Sequence, residues 1–191
     1  MKINEIFYSL QGEGARVGEA SIFIRLTGCD LTCGFCDTEF LSGKEMSNAD
    51  LLTHIQRWPG RWIVWTGGEP TLQLTAETVE FFKSNGYQQA VETNGNNTPP
   101  SGLDWVVCSP KVAEHVLAKH FPNGVDELRY ARHSGQPDVP RPSITAKRYF
   151  LSPLFKGNRP DQENIKHCTT LCLQNPQWKL SLQTHKLTGI L

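Results

Sequence analysis

The sequence lacks an excess of charge of one sign, a long apolar run and any internal repeat. Its 191 residues carry 19 Lys and Arg against 19 Asp and Glu, which gives a formal net charge of zero. Proteins bind phosphate backbones through clustered Lys and Arg, and no such cluster is visible, which argues against an extended nucleic-acid surface. A small molecule is therefore the expected kind of partner.

Signals for secretion and for membrane insertion are missing as well. The start, MKINEIFYSLQGEG, has neither the basic opening nor the long apolar run of a secretory signal. No apolar stretch approaches the roughly 18 residues that a membrane span needs. We therefore expect a cytoplasmic protein with no membrane partner. Because thiols stay reduced in that compartment, the six cysteines suggest metal ligation or catalysis before disulfides.

Strand and helix patterns alternate along the chain, which is typical of α/β proteins with a largely parallel sheet. Helix start signals lie at Ser47 and at Thr75. The predicted strands are apolar or β-branched runs at 21–27, 62–66, 88–92, 105–108, 127–131, 147–151 and 178–183. The gaps around 93–104 and 132–146 are too rich in Pro, Gly and Asn to be helical. We therefore predict a single domain over 1–191, built as a pared-down, open, partial TIM-like barrel.

Three of the cysteines stand together directly after the predicted strand 21–27. Cys29, Cys33 and Cys36 form a C-x3-C-x2-C triplet, and three nearby thiolates can converge on one iron-sulfur cubane. A ferredoxin or a structural zinc site would normally fill all four ligand positions, whereas three ligands leave one iron open to a cofactor. The alternative is a zinc knuckle completed by a distant ligand such as His54 or Cys108, although no second C-x2-C pair follows.

The triplet, with the aromatic Phe35 before its last cysteine, resembles the signature of the radical S-adenosylmethionine superfamily. That resemblance implies a [4Fe-4S] cluster in the loop at 29–36 and a barrel of the radical SAM type. It implies that the open iron is chelated by S-adenosyl-L-methionine, which the reduced cluster cleaves to a 5'-deoxyadenosyl radical, and that the Phe35 backbone meets the adenine. No residue is assigned as a catalytic acid or base, because the radical is generated at the cluster.

Polar segments follow the next three predicted strands, so we expect them on one rim of the sheet. The first, Gly-Gly-Glu-Pro, lets backbone groups approach a ligand closely and resembles the superfamily motif that receives the methionine amino group. The second, Glu-Thr-Asn-Gly, resembles the segment that meets the cofactor ribose, and the third, Ser-Pro-Lys, offers a hydroxyl, a turn and a cation. The predicted cofactor-binding residues are Phe35, Gly67, Gly68, Glu69, Glu92, Asn94, Ser109, Pro110 and Lys111.

Longer segments resemble one family of this superfamily, the 7-carboxy-7-deazaguanine synthases of queuosine biosynthesis. They are FYSLQGEG at 7–14, FIRLTGC at 23–29, CDT at 36–38 and LSLQTHK at 180–186. The resemblance is weakest between 112 and 176. It implies a radical ring contraction of 6-carboxy-5,6,7,8-tetrahydropterin to 7-carboxy-7-deazaguanine with loss of ammonia, in which hydrogen is taken from C6 and later returned. It further implies Mg²⁺, a flavodoxin or ferredoxin as electron donor, and a homodimer.

Several side chains suit such a substrate. Arg25 should lie on the strand face opposite Ile24 and Leu26, and its planar fork matches a carboxylate. The Gln-Gly-Glu loop offers the donors and acceptors that an amino-pyrimidinone edge needs, and Thr38 is a hard oxygen donor for Mg²⁺. By resemblance, a C-terminal segment near 180–191 closes the pocket with the terminal carboxylate. The predicted substrate-binding residues are Leu10, Gln11, Gly12, Glu13, Arg25, Thr66, His185 and Leu191.

Two other functions stay open on the residues alone. A small radical SAM activase that modifies a partner protein would share the cysteines and Gly-Gly-Glu-Pro, but it should not need Arg25, Thr38 or the Gln-Gly-Glu-Gly loop. A non-catalytic iron-sulfur or zinc module that senses redox state would form no 5'-deoxyadenosine. The remaining cysteines are predicted to be core residues: Cys108 in an apolar strand, and Cys168 and Cys172 on a helix beginning near Asp161.

Overall fold

Strands and helices alternate in the computed structural model, which describes residues 1–34, 36, 41–157 and 159–190. By contacts the chain divides into two units, one made of Met1–Ser9 and Ala20–Val106 and the other of Leu10–Glu19 and Val107–Leu191. The single domain predicted over 1–191 stays a prediction. In the described part of the chain, no helix is long and apolar enough to cross a membrane.

The described residues form nine strands and four α-helices. The strands are β1 (Lys2–Leu10), β2 (Ala20–Leu26), β3 (Lys44–Glu45), β4 (Trp62–Gly67), β5 (Gln88–Thr93), β6 (Trp105–Cys108), β7 (Val125–Arg132), β8 (Ala146–Pro153) and β9 (Trp178–Leu180). The helices are α1 (Asn48–Ile55), α2 (Ala76–Ser84), α3 (Gln162–Gln174) and α4 (Thr184–Thr188). Single 3-10 turns lie at Gly14–Arg16, Pro70–Leu72, Glu114–Val116 and Ala118–His120.

In the first unit, β4 lies between β2 and β5 and runs parallel to both. The register places Ile24 beside Trp65 and Trp65 beside Val91, and these three side chains are fully buried in one apolar cluster with residues of α1 and α2. Local signals start both helices, since Ser47 and Asp50 form a capping box at α1 and Thr75 caps α2. The strand ends are thereby fixed against a packed core.

In the second unit, β6, β7, β8 and β9 are parallel neighbours in that order. Helix α3 packs its Cys168 and Leu171 against Leu151 of β8 and Trp178 of β9. Asp161 caps this helix by accepting from the backbone amides of Glu163 and Asn164, as its position in the sequence predicted.

The strand order β3-β1-β2-β4-β5-β6-β7-β8-β9 confirms the predicted α/β fold with a mostly parallel sheet that does not close. All seven predicted strands are present, although the last ends at Leu180 and not at 183. Strand β1 was missed, so the strand before the cysteines is the second and not the first. Its two buried side chains, Ile3 and Phe7, are four residues apart, which hides the alternation that indicates a strand.

Candidate functional site

The three clustered cysteines follow the end of β2 as reduced thiols, of which that of Cys36 is exposed. Burial raises the pKa of the Cys29 thiol, a backbone hydrogen bond with Leu31 opposes the shift, and the charges of Asp30 and Glu69 raise it further. A metal ion reverses this balance because it binds the thiolate. Among the described residues, no three His, Cys, Asp or Glu side chains lie close enough together to hold a metal, so the cluster stays a prediction.

Phe35 and Thr38 lie outside the described residues. Their predicted roles toward the adenine and toward Mg²⁺ therefore stay predictions from the family resemblance.

The Gly-Gly-Glu loop meets the root of the cysteine loop. The backbone amide of Gly68 donates to the Leu26 carbonyl at 3.0 Å, and that of Glu69 donates to the Gly28 carbonyl at 2.8 Å. A Cβ atom on Gly68 would overlap the carbonyl oxygen of Gly28 and lie 3.2 Å from the Cβ of Cys29. Only glycine at position 68 therefore allows the backbones of the Gly-Gly-Glu loop and the cysteine loop to lie this close together. Both loops were predicted to bind the cofactor.

The Glu69 carboxylate is fully buried and turned into the protein. Its Oε1 accepts from the Thr71 amide at 3.1 Å, the Thr71 hydroxyl at 2.5 Å and the Thr93 hydroxyl at 2.7 Å, while Oε2 accepts from the Asn94 amide at 2.7 Å. Burial raises the pKa of this carboxyl even though the hydrogen bonds oppose the rise. Because four donors already occupy the carboxylate, backbone carbonyls of the loop are the better acceptors for a cofactor amino group.

The segment after β5 contacts the cysteine loop through asparagine side chains. The Asn94 Nδ2 donates to Asp30 Oδ1 at 2.8 Å, while Asn96 Nδ2 and Asn97 Nδ2 donate to Asp30 Oδ2 at 3.1 and 3.3 Å. Sequence reasoning assigned Asn94 to the cofactor and missed Asp30, Asn96 and Asn97. The available signal was the run Asn-Gly-Asn-Asn directly after a predicted strand.

A row of polar side chains crosses the sheet face opposite the buried Ile24 and Trp65. Arg25 is the register partner of Thr66, and Thr66 and Glu92 follow the paired residues Trp65 and Val91 on the next two strands. The predicted placement of Arg25 opposite Ile24 and Leu26 is confirmed, because both aliphatic side chains are fully buried and Arg25 is not.

The Arg25 guanidinium keeps donor capacity on that face. Its Nε lies 3.1 Å from Glu5 Oε2, in a pair whose side chains are 30% and 45% exposed, and its Cζ lies 5.2 Å from the centre of the Phe7 ring. Within the described residues the Nε makes no aligned hydrogen bond. A planar carboxylate is the group that such a fork binds best.

In the second unit, the Gln-Gly-Glu-Gly loop is held by buried charges on β7. Glu13 Oε2 lies 3.1 Å from Arg129 Nε, and the amide of Ala15 donates to both oxygens of Glu127 at 3.2 Å. Both Glu127 and Arg129 are buried, and sequence reasoning missed them. The signal that could have found them was charge at alternate positions of the predicted strand 127–131, whose other residues are Leu, Tyr and Ala.

The C-terminal segment packs on the same loop. The Thr184 amide and hydroxyl both donate to the Gly12 carbonyl at 2.9 Å, and a Cβ on Gly12 would overlap the His185 ring. The structure thus brings together Gly12 and His185, which the sequence assigned to the same substrate. Leu10 is exposed, and Leu191 lies outside the described residues.

The remaining predicted residues lie in the Ser-Pro-Lys turn and, as cysteines, in the core. Lys111 Nζ donates to Ser109 Oγ at 2.6 Å across Pro110. Cys108 and Cys168 are fully buried, as predicted, and burial raises the pKa of the Cys168 thiol to about 11.

Comparisons with known proteins identify relatives over nearly the whole chain, although no family model matches. The 7-carboxy-7-deazaguanine synthase of Bacteroides thetaiotaomicron is 37% identical over 190 residues, which cover 99% of this chain and 98% of the relative. That of Haemophilus influenzae is 38% identical over 98% of this chain and 93% of its own. The crystal structure of QueE from Escherichia coli superposes with a TM-score of 0.73 at 25% identity, covering 95% of this chain and 93% of that one. The chain therefore belongs to the 7-carboxy-7-deazaguanine synthase family of enzymes.

Proposed function

We propose that this protein is a radical SAM carbon-nitrogen lyase that converts 6-carboxy-5,6,7,8-tetrahydropterin to 7-carboxy-7-deazaguanine and ammonia. The similarity to synthases of that name along almost the full length of both chains carries the proposal. The close approach of the Gly-Gly-Glu loop to the root of the cysteine loop supports it, because both segments were assigned to one cofactor.

In this proposal Cys29, Cys33 and Cys36 hold a [4Fe-4S] cluster, and the strand-end loops hold S-adenosyl-L-methionine. When bound, the cluster would supply the electron for cleavage of S-adenosyl-L-methionine, and the resulting 5'-deoxyadenosyl radical would take hydrogen from C6 of the pterin. The donor set fits the group, because three reduced thiols lie within one loop and a bound cation favours their thiolate form. The backbone carbonyls of Gly67 and Gly68 are the acceptors assigned to the cofactor amino group.

The substrate carboxylate is assigned to Arg25, with Thr66 beside it on the neighbouring strand. In the second unit, Gln11 and Glu13 offer an acceptor and donor set for the amino-pyrimidinone edge, and His185 lies against the same loop. Glu13 is oriented by the ion pair with Arg129. The remaining roles are Thr38 as a ligand of Mg²⁺, Leu191 at the substrate, a flavodoxin or ferredoxin as electron donor, and assembly as a homodimer.

The test is an anaerobic assay of the reconstituted protein with a reductant, the carboxytetrahydropterin, S-adenosyl-L-methionine and Mg²⁺, following deazaguanine formation. We expect turnover without any protein substrate, which separates this function from that of an activase. Reduction with S-adenosyl-L-methionine alone should form 5'-deoxyadenosine, which separates it from that of a sensor. Arg25→Ala should keep its iron content and lower kcat/KM about 10- to 150-fold, the loss expected for one charge-assisted hydrogen bond of about 1.5 to 3 kcal/mol.

Glu5→Gln is the matched control, because it removes the ion pair of Arg25 and leaves the guanidinium in place. We expect wild-type turnover or a lower KM, since a competing carboxylate is gone and partly exposed ion pairs contribute little stability. If Glu5→Gln loses as much activity as Arg25→Ala, then Arg25 acts through its pair with Glu5, and its assignment to the substrate is wrong. Absence of deazaguanine from fully reconstituted wild type would refute the proposed function itself.

A further inference from the structure

Three side-chain amides converge on one carboxylate inside the cysteine triplet. Asp30 lies between Cys29 and Cys33, and it accepts from Asn94 at 2.8 Å, Asn96 at 3.1 Å and Asn97 at 3.3 Å. Asp30 itself is exposed, so water would satisfy the carboxylate equally well if its only need were solvation. Three protein donors in place of water mean that the contact restrains the loop.

The donors are themselves fixed from the interior. The Asn94 backbone amide and the Thr93 hydroxyl both donate to the fully buried Glu69 carboxylate. The Thr93 hydroxyl also accepts from the Gly95 amide at 3.0 Å, and the Asn94 side-chain oxygen accepts from the Asn96 amide at 2.8 Å. The asparagine side chains therefore present their amides from a rigid turn, and the orientation of that turn is set by Glu69.

The root of the cysteine loop is fixed separately. Backbone hydrogen bonds from Gly68 and Glu69 hold it at Leu26 and Gly28. Asp30 follows two residues after Gly28, so its side chain ties down the part of the loop that carries Cys29 into Cys33.

We propose that Asp30 is a positioning residue that holds the Cys29–Cys33 segment in its cluster-binding conformation through the amides of Asn94, Asn96 and Asn97. The inference rests on the proposed function in one respect, namely that the cysteines bind a [4Fe-4S] cluster. Asp30 itself need not touch the cluster or the cofactor.

The first measurement uses the apo protein, where no cluster is needed. Hydrogen-deuterium exchange is followed in the peptide that covers 29–34 for wild type, Asp30→Ala and Asp138→Ala, the last being a control on an exposed loop aspartate of the second unit. We expect exchange in that peptide to be about tenfold faster in Asp30→Ala, the factor corresponding to one hydrogen bond to a charged group. Far-UV circular dichroism and exchange elsewhere should match wild type.

The second measurement uses the reconstituted protein. Asp30→Ala should release iron to a chelator about tenfold faster than wild type, and the electron paramagnetic resonance signal of its reduced cluster should respond less uniformly to S-adenosyl-L-methionine. Asn94→Ala should act in the same direction, and the Asp30→Ala/Asn94→Ala double variant should lose little more than Asp30→Ala alone, because Asp30→Ala already removes the contact with Asn94. A variant with Asn96→Ala and Asn97→Ala probes the other carboxylate oxygen.

The two failures are distinguishable. If wild type binds no cluster that responds to S-adenosyl-L-methionine, the proposed function falls, while the exchange data still decide whether Asp30 orders the loop. If wild type behaves as expected but Asp30→Ala matches Asp138→Ala in exchange, iron release and spectrum, the inference about Asp30 is overturned. Strictly additive effects of Asp30→Ala and Asn94→Ala would also overturn it.

Discussion

Replacing Glu69 tests the deepest element of the site. This carboxylate is fully buried and has four donors, from Thr71, Thr93 and Asn94. Glu69→Ala removes the acceptor for all of them, whereas Glu69→Gln keeps one oxygen and replaces the other by an NH2 group. The two variants therefore separate the loss of hydrogen bonds from the loss of charge.

The loss of unfolding free energy in Glu69→Ala depends on how many buried donors are left without an acceptor. The Thr71 hydroxyl can turn elsewhere, but the Asn94 amide and the Thr93 hydroxyl lose their partner in a buried setting. Each stranded buried donor costs about 1 to 3 kcal/mol, so Glu69→Ala should lower the free energy of unfolding by about 2 to 6 kcal/mol. In Glu69→Gln the oxygen can face the three donors at Oε1, and only the Asn94 amide faces an NH2 group. Its cost should be about 1 to 3 kcal/mol at most, because the variant also avoids burying a charge.

The pKa of Glu69 predicts the sign of a pH effect. Burial raises it above the ordinary value of 4.5, so the folded protein holds this proton more tightly than the unfolded chain does. The stability from this linkage is fully present below pH 4.5 and is lost as the pH rises through the folded pKa. Glu69→Gln has no such proton. The stability advantage of wild type over this variant should therefore shrink as the pH is raised.

The assay is urea unfolding of reduced apo protein between about pH 4.5 and 8, followed by tryptophan fluorescence. Trp65 is fully buried in the same unit and reports on its loss of structure. Parallel stability-pH profiles for wild type and Glu69→Gln would refute the raised pKa. A cost below about 1 kcal/mol for Glu69→Ala, within the range of ordinary surface substitutions, would refute the stabilising role of the network.

Two further substitutions test the loops that hold the site. In Gly68→Ala the new Cβ would overlap the Gly28 carbonyl, so this variant should destabilise the cysteine loop and weaken S-adenosyl-L-methionine binding in equilibrium titrations. Gly34→Ala is the control, because the space around Gly34 is open and neither effect is expected. Arg129→Met should lower the free energy of unfolding by about 3 kcal/mol, the lower end for breaking a buried ion pair, because Glu13 keeps 18% exposure. It should also raise the KM for the pterin without lowering iron content, and an unchanged KM would separate Glu13 from the substrate.

Positions of the seven predicted strands and of the first three helices followed from local signals. Capping residues such as Ser47, Thr75 and Asp161 bond to the backbone within three residues, so the sequence alone contains both partners. The placement of Arg25 on the face opposite Ile24 and Leu26 was predicted correctly for the same reason, because all three residues lie on one strand. Helix α4 was missed, since its preceding residue, Gln183, makes no capping hydrogen bond.

Long-range contacts explain what sequence reasoning missed at the site. Asp30 and Asn94 are 64 residues apart, and Ala15 and Glu127 are 112 apart, so no local pattern links them. Glu69 was assigned to the cofactor because its motif resembles the one that receives the methionine amino group, and that role stays a prediction. Two of its partners in the structure are Thr93, the last residue of β5, and Asn94, which follows it.

The contacts around Glu69 form a chain from the core to the surface, and their order predicts how strongly each matters. Glu69 fixes Thr93 and Asn94 by hydrogen bonds that water cannot replace, since both partners are buried. Asn94 in turn holds Asp30 at 2.8 Å in a partly buried bond, whereas the bond from Asn97 is exposed and 3.3 Å long. Hydrogen bonds that exclude water stabilise more than exposed ones. Disorder of the cysteine loop should therefore decrease from Glu69→Ala through Asn94→Ala to Asn97→Ala, and the reverse order would mean that the loop is held from its solvent side.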